Sequence, residues 1–217
     1  GFLTFRPLAF WLAVILLGSG TVLFVGVAGH ALFVVPSANP TIRGLKLSLP
    51  SLTVTVGLGS SLAAGLVGSL QLPLPQLTSI HLAWGLIGWG VILLATVAFV
   101  VVPMFQITPP YPAWFARSFV WSVLTLLCCW SLVAGWQWFA GTPLAGATVL
   151  HVVAFAVLTL HVQSRSRRAS FDTTQRLWRV AMLSALAACI LCYAGMAVPA
   201  PDNRLEWLCG VLVLLGG

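Results

Sequence analysis

The sequence predicts an all-α protein, a polytopic bundle of transmembrane helices forming a single domain over residues 1–217. Hydrophobic residues make up 60% of the chain and charged residues only 6%, whereas soluble domains carry about 25% charged residues because their surfaces must stay hydrated. Apolar runs long enough for a helix to cross a bilayer, about 20 residues, alternate with short polar segments. The lipid bilayer is therefore the predicted surrounding of the chain.

Seven apolar runs have the length and composition of spans, and the chain ends within the seventh. They cover residues 8–35, 52–71, 78–102, 117–140, 143–163, 177–199 and 205–217. Proline-containing segments such as Pro36–Pro40, Pro73–Pro75 and Thr108–Pro112 separate them and are typical of turns. Because the last run is cut short, we expect the chain to be part of a longer protein with further spans.

Basic residues are distributed unevenly between the two sets of alternate connections. One set holds Arg43, Lys46, Arg117, Arg165, Arg167, Arg168, Arg176 and Arg179, and the other holds Arg6 and Arg204. Lys and Arg concentrate on the cytoplasmic side of membrane proteins, so we predict a cytoplasmic 164–176 loop in a multi-pass protein of a bacterial inner membrane. The basic residues form no groove or stripe, which argues against nucleic acid as a partner.

Carboxylates are missing from the interior of the predicted spans. Asp172, Asp202 and Glu206 are the three acidic residues, and each lies in a predicted loop or at a span end. Ion-coupled transporters usually hold a carboxylate within the membrane for the coupling ion. The pattern therefore argues against a proton- or sodium-coupled carrier.

All four histidines, in contrast, fall within predicted spans. The predicted topology places His81 and His151 towards the outer side and His30 and His161 towards the inner side. Imidazole is a common metal ligand, and a polar ring in hydrocarbon needs a partner. We therefore predict that the histidines bind a cofactor, with a metal ion or haem iron held between helices at either level.

Glycines flank two of these histidines on the same helical face. Gly85 and Gly88 follow His81 at i+4 and i+7, and Gly26 precedes His30 by four residues. Such a flank leaves room for a flat, bulky group such as a porphyrin. The alternative interpretation is helix packing at the glycines, with the imidazole hydrogen-bonded to a neighbouring carbonyl.

The sixth predicted span carries a second candidate constellation. Cys189, Cys192, Tyr193 and Met196 share one helical stripe, at i, i+3, i+4 and i+7. Soft sulfur ligands suit Cu(I), so Cys189, Cys192 and Met196 are candidate copper ligands. The alternative is that small and flexible residues fill a helix interface.

The stretch His81–Trp89, which runs on to Val101–Phe105, resembles a repeated pattern of the haem-copper oxidase superfamily. It looks closest to the NnrS-type haem- and copper-containing membrane proteins linked to nitric-oxide stress. In that pattern a histidine opens a glycine-punctuated helix that closes on a proline, and His81 and Pro103 occupy these places. The segment Arg204–Leu208 likewise resembles the start of another such helix.

This resemblance implies about a dozen spans in the whole protein and b-type haem or copper on its histidines. Among the four, His81 matches the opening histidine of the pattern. The chain has neither an adjacent histidine pair nor the His-to-Tyr spacing of an oxygen-reducing centre. Oxygen reduction is therefore not expected of it, and no catalytic residue is assigned.

Three functions are consistent with the sequence. The first is a haem- and/or copper-binding membrane protein of respiratory or nitric-oxide-stress type, which the intramembrane histidines favour. The second is a permease for a neutral solute, favoured by glycine-interrupted spans and by a possible parallel repeat of helical hairpins, whose first members close on Phe33–Pro36 and Phe99–Pro103. The third is a non-catalytic subunit or assembly factor that contacts other membrane subunits through the rigid loop Pro103–Pro112.

Overall fold

The protein is described by a computed structural model that covers residues 6–36, 39–134, 141–168, 173–197 and 210–212; within these ranges, the side chains of residues 134, 141–142, 192 and 194–197 are not described. The long elements in the described ranges are all helical, which confirms the all-α prediction. They are α1 (Pro7–Val34), α2 (Pro40–Leu66), α3 (Leu74–Ala83), a π-helical segment (Trp84–Val91), α4 (Ile92–Gln106), α5 (Ala113–Ala134), α6 (Gly141–Ser164) and α7 (Thr173–Ala197).

Five helical stretches are long and apolar enough to cross a bilayer, so the chain is a multi-pass integral membrane protein. They are Pro7–Val34, Pro40–Leu66, Leu74–Gln106, Ala113–Val133 and Pro143–Ser164. The third joins α3, the π-helical segment and α4. The described residues thus give about five spans and not the predicted seven. The predicted span 177–199 corresponds to α7, which is not among the five. Most of the predicted span 205–217 lies outside the described residues.

Helix α2 begins twelve residues before the predicted span. The Asn39 side chain accepts a hydrogen bond from the Thr41 backbone N–H at 2.9 Å, and Pro40 occupies the first helical position, which together are a typical helix start. Lys46, predicted to lie in a loop, is therefore helical. Its Nζ donates to the Val35 backbone oxygen at 2.7 Å, so the positive charge closes the turn between α1 and α2.

The chain divides into two compact units. Unit 1 comprises Gly1–Val97 and Arg117–Leu144, and unit 2 comprises Ala98–Ala116 and Ala145–Gly217. The boundary falls within α4 and α5 and within α6. The prediction of one transmembrane domain over 1–217 is a statement about the whole chain and stays a prediction.

In unit 1, glycines allow close helix contacts. A Cβ on Gly44 of α2 would overlap the Thr96 side chain of α4, and one on Gly65 would lie 2.7 Å from Leu74 Cδ2. Carbon atoms in contact normally stay about 3.5–4.0 Å apart, so a methyl group at either position forces a neighbour to move. Helices α4 and α3 therefore approach α2 at positions where only glycine leaves enough space.

In unit 2, four aromatic rings form the core. Phe99 makes edge-to-face contacts with Tyr111, Phe115 and Phe155, with ring centroids 5.1, 6.2 and 6.3 Å away respectively. Such pairs each contribute about 0.5–1.5 kcal/mol beyond the burial of their area. Because Tyr111 belongs to the segment between α4 and α5, this cluster fixes that connection against α4 and α6.

Candidate functional site

His81 lies in the last turn of α3 and contacts the neighbouring helix α2. Its Nδ1 is 3.0 Å from the backbone oxygen of Thr55, and the side chain is half-buried. A carbonyl oxygen accepts hydrogen bonds and cannot donate them, so Nδ1 carries a proton. In the neutral imidazole, the lone pair then resides on Nε2.

The close approach of the ring depends on Gly59. A Cβ built on Gly59 would lie 3.0 Å from His81 Cε1 and 3.5 Å from Nδ1, whereas a Cβ on Gly57 would meet nothing within 4 Å. The ring edge therefore lies directly over the α2 backbone at Gly59. A methyl group there would push the imidazole away from the Thr55 carbonyl.

Immediately after His81 the helix widens into the π-helical segment Trp84–Val91. Added Cβ atoms on its glycines would meet other helices: that of Gly85 would lie 3.2 Å from Thr55 Cγ2, and that of Gly88 would lie 2.8 Å from Leu127 Cδ2. The glycine flank predicted to admit a porphyrin is thus filled by side chains from α2 and α5. Helix packing, the alternative interpretation, describes this face.

The other three histidines have different surroundings. His151 on α6 is half-buried, and its Nδ1 is 2.8 Å from the Ala147 backbone oxygen of the same helix, while His30 on α1 and His161 on α6 are exposed. Each predicted level pairs a histidine of unit 1 with a histidine of unit 2. The cofactor-binding role of these residues, and their arrangement in two levels, stay predictions.

The candidate copper ligands lie on α7, which is helical from Thr173 to Ala197 and so has the required spacing. Cys189 is half-buried, whereas the side chains of Cys192 and Met196 lie outside the described residues. Among the described side chains, no group of three or more His, Cys, Asp or Glu residues could hold a metal ion. Copper binding at this stripe stays a prediction.

Haem needs fewer protein ligands than a metal ion that is held by side chains alone. A single axial imidazole from the protein can hold haem iron. His81 fits that role through Nε2, because its Nδ1 proton is already bonded to a backbone carbonyl, an arrangement typical of metal-ligating histidines. A porphyrin would have to approach from a side of the ring other than the one covered by Gly59.

A buried amide pair in unit 2 was not predicted from the sequence. Gln106 at the end of α4 and Gln163 in the last turn of α6 are both 0% exposed. Gln163 Nε2 donates to Gln106 Oε1 at 3.0 Å, which leaves Gln106 Nε2 and Gln163 Oε1 without a hydrogen-bond partner. Buried amide atoms without partners are costly, so the pair is a second candidate binding site.

Polar contacts hold the connections of unit 2 around this amide pair. Ser166 Oγ donates to the Gln106 backbone oxygen at 2.6 Å, and the Tyr111 hydroxyl donates to Thr159 Oγ1 at 3.1 Å. Burial raises the pKa of Tyr111 to about 12, although the hydrogen bond with Thr159 partly opposes this shift. The phenol therefore stays protonated and able to donate under ordinary conditions.

The sequence contains one indication of the amide pair: Gln106 and Gln163 are polar residues at the ends of strongly apolar runs. Their pairing across 57 positions, however, follows from tertiary packing.

The chain matches no protein-family model, no curated protein and no solved structure. The resemblance to the haem-copper oxidase superfamily and to the NnrS-type proteins therefore stays a prediction that rests on the residues alone.

Proposed function

We propose that this integral membrane protein binds haem, which His81 would hold through its imidazole, and acts in respiration or in the response to nitric-oxide stress. Copper is the alternative metal for the same imidazole. The observation that supports the proposal is the hydrogen bond between His81 Nδ1 and the Thr55 backbone oxygen. This hydrogen bond holds the ring in one orientation and leaves the lone pair of Nε2 for a metal.

The chain's own contribution would be to orient the imidazole. The Thr55 carbonyl makes the ring a stronger donor to a metal, and contact with Gly59 restricts its rotation. The apolar helices around it keep the local dielectric low, which tunes the redox potential of a bound haem. When bound, haem would supply one-electron chemistry and an iron atom that can bind small gases.

The test is an absorption spectrum of the protein purified in mild detergent, with metal analysis of the same sample. We expect a Soret band or stoichiometric copper in the wild type, and its loss in His81→Ala. A wild-type sample with neither a Soret band nor copper would contradict the proposal. Circular dichroism of His81→Ala checks that the helices are retained.

A second candidate function is a permease for a neutral solute, and the Gln106–Gln163 pair favours it. One free donor and one free acceptor in a fully buried site suit an uncharged polar molecule that both donates and accepts hydrogen bonds. Uptake of radiolabelled urea and glycerol into proteoliposomes tests it. Transport that falls in Gln106→Leu but not in His81→Ala supports the permease, and no uptake above empty liposomes contradicts it.

A further inference from the structure

Four exposed arginines stand at one end of unit 2. Arg165, Arg167 and Arg168 follow α6, and Arg176 lies in the first turn of α7; together they are called the arginine patch. Cations after α6 complement the negative end of its dipole, but a cation in the first turn of α7 opposes the dipole of that helix. Helix stability therefore does not explain Arg176.

Arginines outnumber acidic residues in this segment of the sequence. Between positions 165 and 179 the sequence has five arginines against one aspartate, Asp172. The arginine patch is thus a local excess of positive charge, and an anion is the complementary partner.

The backbone of the arginine patch is held in place. The Arg167 backbone N–H donates to the Ile107 oxygen at 3.1 Å, and the Arg168 N–H donates to Ser166 Oγ at 3.3 Å. Ser166 Oγ in turn donates to the Gln106 backbone oxygen at 2.6 Å. A ligand therefore meets guanidinium groups carried by an ordered segment, which lowers the entropy lost on binding.

Exposed apolar side chains lie beside these cations. Met104, Phe105 and Ile107 are 59%, 52% and 52% exposed, and Leu177, next to Arg176 in sequence, is 65% exposed. The hydrogen bond from Arg167 N–H to the Ile107 oxygen brings Ile107 beside the arginines that follow α6. Gln175 Nε2 donates to the Gln163 backbone oxygen at 3.4 Å, which places the first turns of α7, with Arg176 and Leu177, against the end of α6. In a bilayer this combination fits the level where acyl chains meet phosphate groups.

We propose that the arginine patch binds the phosphate of an anionic phospholipid whose acyl chains lie against Phe105, Ile107 and Leu177. Arginine suits this ligand because its planar guanidinium makes paired hydrogen bonds to phosphate oxygens. The apolar neighbours distinguish a lipid from a soluble phosphate. The site is independent of His81 and stands whether or not the protein binds haem.

The test measures lipid retention by native mass spectrometry of the delipidated 217-residue chain in neutral detergent. Phosphatidylglycerol is compared with phosphatidylcholine of identical acyl chains. We expect tighter binding of phosphatidylglycerol, with a loss of about tenfold in the double variant Arg167→Gln/Arg176→Gln. The matched control is Arg43→Gln, which removes a cation from α2 in unit 1 and should leave binding unchanged.

Two results would overturn the lipid site. One is equal binding of both lipids by the wild type, and the other is a double variant that loses no more than Arg43→Gln. Inorganic phosphate supplies a further arm: if it displaces phosphatidylglycerol at millimolar concentration, the site recognises soluble phosphate and the proposal is wrong. Circular dichroism confirms that each variant keeps its helices.

Discussion

The imidazole of His81 lies 3.0 Å from the backbone oxygen of Thr55, which joins α3 to α2 through a polar contact inside an apolar bundle. The contact requires the ring edge to approach the α2 backbone at Gly59. The position of the histidine is therefore set by a glycine on the opposite helix. This dependence gives a test of the site that does not need a bound cofactor.

Gly59→Ala should destabilise the protein, whereas Gly57→Ala should not. Alanine favours the helix equally at both positions, by up to about 1 kcal/mol, but only at Gly59 would the new methyl lie 3.0 Å from His81 Cε1. We expect a lower thermal midpoint for Gly59→Ala in the same detergent. Equal midpoints would show that the ring does not depend on this contact.

Replacing the two buried glutamines should give a non-additive result. Gln106→Leu removes the acceptor of Gln163 Nε2 and leaves a buried amide without it, at a cost of about 1–3 kcal/mol. The double variant Gln106→Leu/Gln163→Leu removes both amides and should be less destabilised than the sum of the single changes. Chemical unfolding of the four proteins measures this, and additive effects would contradict the pairing.

Alkaline solution should destabilise unit 2 through Tyr111. The phenol has an ordinary pKa of 10.0 when unfolded and a pKa of about 12 in the fold, so the unfolded chain loses its proton first. The stability gained from the protonated phenol is complete below pH 10 and is lost as the pH rises towards 12, by about 2–3 kcal/mol. Tyr111→Phe should show a flatter dependence between pH 9.5 and 12, measured by thermal unfolding; parallel curves would contradict it.

Lys46→Met should loosen the turn between α1 and α2. The variant keeps an unbranched side chain of similar size but loses the hydrogen bond to the Val35 oxygen and the charge 5.4 Å from the Phe33 ring centroid. Hydrogen exchange at residues near the end of α1 should accelerate several-fold, in line with a loss of about 1 kcal/mol. Arg43→Gln is the control, and equal exchange in both variants would contradict this role of Lys46.

Composition and run length were sufficient to predict the helical membrane class, because an apolar chain with thirteen charges has few other folds. The start of α2 was placed too late because Pro40, Arg43 and Lys46 were interpreted as loop residues. Asn39 followed by Pro40 was nevertheless a helix-start signal. The charge of Lys46 is accommodated by a carbonyl eleven residues earlier, which no local pattern indicates.

The candidate site was also only partly predictable, because the partners of its residues are not indicated by any local pattern. His81 was identified from its residue type inside an apolar run. Its hydrogen-bond partner, however, is a backbone oxygen. Every residue has a backbone oxygen whatever its side chain, so the sequence does not indicate which one is the partner. Gly85 and Gly88 follow His81 on the same helical face, as predicted, yet the space beside them is filled by Thr55 and Leu127. Which helix fills a glycine face depends on tertiary packing.

The central claim is that Nε2 of His81 binds the iron of a haem. Its most direct measurement is the haem-to-protein ratio after purification from haem-replete cells, compared among the wild type, His81→Ala and the control Gly57→Ala. The account predicts a stoichiometric ratio in the wild type and the control and a ratio near zero in His81→Ala. Equal haem content in all three proteins, or none in the wild type, would contradict it.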